Sequence, residues 1–125
     1  MVCNRGLKAD RLCTPGARQR ASARAVCTPG WASAHRHVSD ATKRRVYFDY
    51  GIRRHRSGEY EIDHLIPLEL GGANSQRNLW PERYAGGQGA HAKDRLENAL
   101  HKRVCSGSLS LAAAQRSIVA RWSRR

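Results

Sequence analysis

The sequence predicts an α+β domain whose core is two short antiparallel strands and one helix, with further helices flanking it. Three observations predict this. Tyr60, Ile62, His64 and Ile66 alternate with Glu59, Glu61, Asp63 and Leu65, which is a strand period, until Pro67 removes a ladder donor. Asn78-Leu79-Trp80 is a second short run, cut off by Pro81. Leu96, Leu100 and Val104 recur at i, i+4 and i+8, the buried stripe of a helix over about 90–104.

Taken in order, residues 1–26 combine Arg5, Lys8, Arg11, Arg18, Arg20 and Arg24 with Ala, Ser and Gly and little apolar periodicity, so they read as a flexible basic arm ahead of a domain at 27–125. Cys-Thr-Pro-Gly occurs at 13–16 and 27–30, sufficiently explained as turns. Ser39 or Asp40 can cap a helix through 41–50 that Gly51 stops, with Val46 and Tyr50 on one side and Lys43, Arg44 and Arg45 outward. Arg53-Arg54-His55-Arg56 is a basic loop directly before the first strand. Residues 68–76 are a loop turning at Gly71-Gly72, where positive φ is easily adopted. After the helix at 90–104, Gly107 breaks the chain and Ser108 or Ser110 caps a last helix with Leu111, Ile118, Val119 and Trp122 on its apolar side.

With 23 Lys+Arg against 10 Asp+Glu in 125 residues, the formal charge of +13 attracts polyanions. Nucleic acid fits best, because neutralising phosphates releases condensed counterions. Arg53, Arg54, Arg56 and Lys93 are the candidate backbone contacts. No run approaches the roughly 20 apolar residues of a membrane span, so the chain as written reads as soluble and cytoplasmic, or exported if a signal precedes it. Cys3, Cys13, Cys27 and Cys105 form no Cys-x-x-Cys pair, which argues against structural zinc. They allow three pairings; Cys27 with Cys105 is the first to test, and free thiols are equally compatible.

Chemistry concentrates in 60–81. Phosphodiester hydrolysis needs a base for water and positive charge beside the phosphoryl and leaving oxygens. A neutral histidine, ordinarily titrating near pH ~6.5, suits the first task, and a hard cation on carboxylate oxygen suits the second. Asp63-His64 sets both groups at a strand end. Adjacent strand residues face opposite ways, so the pair acts together only if the strand twists or bulges there.

Glu61-Ile62-Asp63-His64-Leu65-Ile66-Pro67, Gly71-Gly72 and Asn78-Leu79 resemble the signature of the HNH endonucleases, built on a ββα-metal core. A longer likeness, through Trp80-Pro81 and Lys93-Asp94-Arg95-Leu96-Glu97 and covering about 26–122, resembles a small bacterial and phage subfamily. The resemblance implies a nuclease domain at 27–125. His64 would be general base, its other ring nitrogen held by a backbone carbonyl, Asp63 a metal ligand, and Asn78 a brace for the loop. It also implies one divalent cation, Mg²⁺ before Mn²⁺ or Zn²⁺, and DNA held through its backbone with little sequence specificity, with no membrane or obligate protein partner. Where many members carry His or Asn three residues before a lysine, this chain has Ala90. Asp94 and Glu97 are then the best oxygen donors on the helix, with His91, Asn98 and His101 as alternatives. Asp94 could instead complement the helix dipole, and Glu97 could pair with Lys93. The rival reading is a non-catalytic nucleic-acid-binding module on the same fold.

Overall fold

A computed structural model describes residues 3–84 and 88–124, with no side-chain detail for 88–90. The chain is α+β, and among the described residues it forms five helices and two two-stranded sheets. In order these are β1 (Ala9–Asp10), α1 (Ala23–Val26), α2 (Trp31–Ala34), α3 (Asp40–Asp49), β2 (Tyr60–His64), β3 (Leu79–Arg83), α4 (Gln88–Cys105), α5 (Leu111–Trp122) and β4 (Ser123–Arg124). Strands β2 and β3 are antiparallel, running one-to-one from Tyr60 opposite Arg83 to His64 opposite Leu79.

Local chemistry explains the element ends. The hydroxyl of Ser39 accepts from the Thr42 amide at 3.1 Å and starts α3, while Ser110, not Ser108, does the same for α5 through the Ala113 amide. Pro81 does not end β3 as expected. Leu65 N donates to Asn78 O and Tyr84 N to Glu59 O. With the one-to-one register, those bonds make Ile62 opposite Pro81 a non-hydrogen-bonded pair. The donor that proline lacks would have pointed away from β2.

Two apolar clusters meet beneath the hairpin. One gathers Val46, Tyr50, Ile52, Leu65, Leu79 and Trp80, and the other Ile66, Leu70, Leu100, Val104, Ala114 and Ile118. Leu65 belongs to the first and Ile66 to the second, so the two residues after His64 are anchored in different halves of the core. That fixes the backbone at the strand end from both sides.

The expectation of a flexible arm at 1–26 is corrected over its described residues, 3–26. Cys3 is bonded to Cys13, and β1 pairs in parallel with β4. Buried Asp10 accepts from the amides of Asn4, Leu12 and Cys13 at 2.7, 2.8 and 3.3 Å. The Asp10 amide donates to the Tyr50 hydroxyl, which bonds Thr14 Oγ1 at 2.6 Å, and Thr14 donates onward to Leu79 O. Further on, Gly16 N donates to Arg77 O, Gln19 N to Gly71 O, and Ala73 N to Ala17 O. This segment is a strap across the 71–78 loop, held by polar bonds and a disulfide where the apolar pattern is weak. Cys27 is bonded to Cys105, and no described cysteine is free.

Candidate active site

The loop between β2 and β3 is built around Asn78, which is fully buried. Its Oδ1 accepts from Ile66 N at 2.9 Å and Ala17 N at 3.2 Å, and its Nδ2 donates to Ile66 O and Ala73 O, both at 2.9 Å. One side chain thus ties together the strand exit, the loop and the N-terminal strap. The two glycines serve different needs. Gly71 ends a 3₁₀ turn at φ 81°, whereas a Cβ on Gly72 would overlap the carbonyl of Ile66 and lie 2.9 Å from Asn78 Nδ2. Gly72→Ala is therefore expected to destabilise the fold by several kcal/mol, about the range of overpacking with loss of buried hydrogen bonds. Urea denaturation checks this; an unchanged midpoint would refute the close approach.

His64 closes β2 with only 5% of its surface exposed. Its Nε2 lies 2.9 Å from Asn74 Oδ1, and Asn74 Nδ2 donates to the carbonyl of His35 at 2.8 Å. Because the amide nitrogen of Asn74 is committed to His35, its oxygen faces the ring and Nε2 must carry the proton. Nδ1 is left with a free lone pair and no partner among the described residues. The partner of the ring is thus a side chain, not the expected backbone carbonyl. Burial foremost, with the charges of Arg36 and Lys93, pulls the His64 pKa below its ordinary value against the opposing hydrogen bond to Asn74 and the charge of Asp63.

The ladder carries no bulge between Asp63 and His64. The two side chains leave on alternate faces: His64 turns to Asn74, and Asp63 sits 3.4 Å from Lys93 Nζ. Of the twist or bulge that joint action requires, the bulge is absent, and the groups flank the end of β2 instead.

Lys93 corrects a second expectation. It is fully buried, so it is no backbone contact for nucleic acid. Its ammonium donates to His64 O at 2.7 Å and to Glu97 Oε2, pairs with Asp63, and stands 5.6 Å from the centroid of the Trp80 ring. Burial opposes its charge, but Asp63, Glu97 and Glu82 outweigh that and hold its pKa above the ordinary value. Glu97 is buried and engaged by this lysine, whereas Asp94, His91 and Asn98 are exposed. His101 lies elsewhere, with Nε2 3.0 Å from Val26 O and 3.6 Å from Cys105 Sγ. Arg53, Arg54 and Arg56 are all exposed.

Glu82 is the site residue that the sequence reading missed. It is 1% exposed, and its carboxylate oxygens meet no hydrogen-bond donor among the described residues, only the neighbouring carboxyl of Asp63 once one of the two holds a proton. Burial and the neighbouring Asp63 push its pKa up to about 8. Glu61, Asp63, Glu69, Glu82, Asp94 and Glu97 act on one another and on Lys93 electrostatically. Six of the 10 acidic residues of a +13 chain are therefore drawn together. Two carboxylates as close as Asp63 and Glu82 must share a proton or a cation.

Among the described residues, three potential metal-binding donors converge within 4.8 Å at one place, Cys27, His101 and Cys105. The two sulfurs there are bonded to each other and offer no thiolate. Asp63, Asp94 and Glu97 do not converge in that way. No protein-family model, curated protein or solved structure matches this chain.

Proposed function

We propose that the chain is a metal-dependent endonuclease of the HNH type, hydrolysing phosphodiester bonds in DNA on a ββα-metal core made of β2, β3 and α4. The observation that carries the reading is His64, held at the strand end with its Nδ1 lone pair free, across the end of β2 from a knot of carboxylates headed by Asp63 and Glu82. His64 takes the proton of the attacking water on Nδ1 while Asn74 keeps the ring oriented. Asn78 acts through the backbone of Ile66, fixing where His64 points.

The buried, unpartnered oxygens of Glu82 against Asp63 fit a single hard cation. Such a cation would supply positive charge to the phosphate oxygens and to the leaving 3′ oxygen. Asp63 and Glu82 would hold it; Glu97 orients Lys93, and Asp94 is exposed beside them. Arg36, whose charge acts on both His64 and Glu61, is available to the phosphate. Plasmid nicking with Mg²⁺, Mn²⁺ or Zn²⁺ against EDTA tests the reading, and absence of metal-dependent cleavage would overturn it.

A second reading has its own observation. The Lys93 ammonium already neutralises Asp63 and Glu97, as expected of a nucleic-acid-binding module that keeps the fold without the chemistry. Calorimetric melting separates the two. In the nuclease, Mg²⁺ or Mn²⁺ at a hundredfold its Kd stabilises by about 2.7 kcal/mol. Glu82→Gln is expected to abolish that response and, in EDTA, to raise stability only as pH rises past about 8, where the wild-type carboxyl must ionise unpaired in a buried place. A cation response that survives Glu82→Gln would remove Glu82 from the ligand set.

No described helix is long and apolar enough to cross a membrane. Two disulfides suit an oxidising environment, so we infer that the protein works outside the reducing cytoplasm.

A further inference from the structure

Helix α3 turns Val46 and Tyr50 into the core, and Phe48, two positions from each, falls on the opposite side of the helix. It is 76% exposed, a large ring turned to solvent. Phe48 forms one edge of a cleft of about 790 Å³ shared with Arg44, Tyr47, Ile52, Arg53 and His55. Inside it the Tyr47 and His55 rings stack, 4.3 Å apart and 19° from parallel, and both meet Tyr60 edge-on at 6.5 and 6.3 Å. Asp49 also borders the cleft, but its carboxylate is paired with Arg45 at 3.1 Å. Exposed Arg44 and Arg53 line the cleft, and Lys43, Arg54 and Arg56, next to them in sequence, are exposed as well.

We propose that this cleft is a stacking site for unpaired bases, so that the nucleic acid this protein engages is single-stranded or locally melted. The inference rests on the phosphodiester reading for what happens downstream, and it names the substrate class. Flat rings ringed by arginines match a strand whose bases are free to stack while its phosphates lie on the guanidinium groups. In an intact duplex the bases are stacked on one another and unavailable. An anionic membrane fits less well, because the aromatic groups line a hollow, whereas an interfacial helix presents a broad apolar face. The cleft is also joined to the proposed site: β2 starts at Tyr60, among these rings, and ends at His64, about 13 Å along the strand.

The test is fluorescence anisotropy of labelled oligothymidylate, single-stranded or annealed to oligodeoxyadenylate, with the full disulfide-bonded chain in EDTA. Phe48→Ala is expected to weaken single-strand binding about tenfold, leave duplex binding and the melting temperature unchanged, and be rescued by Phe48→Trp. Undiminished binding of the single strand by Phe48→Ala overturns the proposal. So does an equal loss on the duplex, or a loss confined to phosphatidylserine vesicles. Binding is read without turnover. Absent nicking with an intact Phe48 effect would sink the nuclease reading alone, and normal nicking with no Phe48 effect would sink the stacking site alone.

Discussion

Replacing His64 with alanine is expected to lower metal-dependent DNA hydrolysis by about 10²- to 10⁴-fold, the range for loss of a positioned general base. DNA binding measured in EDTA should be unchanged, because the imidazole is buried and only Nδ1 is free to face a reacting water. The pH profile carries a second signature. Burial lowers the His64 pKa below 6.5, so the neutral ring predominates at pH ~7 and the rate should be flat there. The rate should fall as pH drops through the depressed value. Stability has the same sign: the unfolded imidazole takes a proton near pH ~6.5 while the folded one resists it, so this contribution is present above that pH and is lost as pH falls. Nicking that survives His64→Ala with its metal dependence intact would remove His64 as the base. A melting temperature close to that of the unsubstituted protein is the control that separates lost chemistry from lost fold.

Local rules made much of this architecture legible. The period-2 run, expected to reach Ile66 and observed to His64, the serine cap of α3 and the Leu96, Leu100, Val104 stripe all depend on neighbours within a few residues, and each corresponds to an observed element. What was hidden depends on partners far along the chain. Lys93 reads as a surface cation because burial of an ammonium is costly without counter-charges; those come from Asp63, 30 positions earlier, and from Glu97. Glu82 was masked by Pro81, which marks a strand end by local rules but here occupies a non-hydrogen-bonded pair in a two-stranded ladder. Residues 3–26 lack an apolar period because polar bonds from Asp10, Thr14 and Asn78 and a disulfide do the anchoring. Asn74 gave no signal at all; its role follows from His35, the C-cap of α2, supplying its carbonyl.

Reducing or removing the Cys27–Cys105 bond is expected to have the largest effect on stability. It closes a sequence separation of 78 residues, against 10 for Cys3–Cys13. In the chain-entropy account that corresponds to about 4.5 kcal/mol, against about 2.7 kcal/mol for the shorter loop. Location adds to the argument. The bond joins the end of α1 to the end of α4, beside buried Val26 and Val104, and Cys27 packs against the cluster that receives Ile66 and Leu70. Loosening it therefore loosens the anchor on one side of His64, whereas the Cys3–Cys13 bond acts on the N-terminal strap. Urea denaturation of Cys27→Ser/Cys105→Ser should show a fall of about 3–5 kcal/mol, larger than that of Cys3→Ser/Cys13→Ser. Equal losses in the two double variants would overturn the argument from loop length and location.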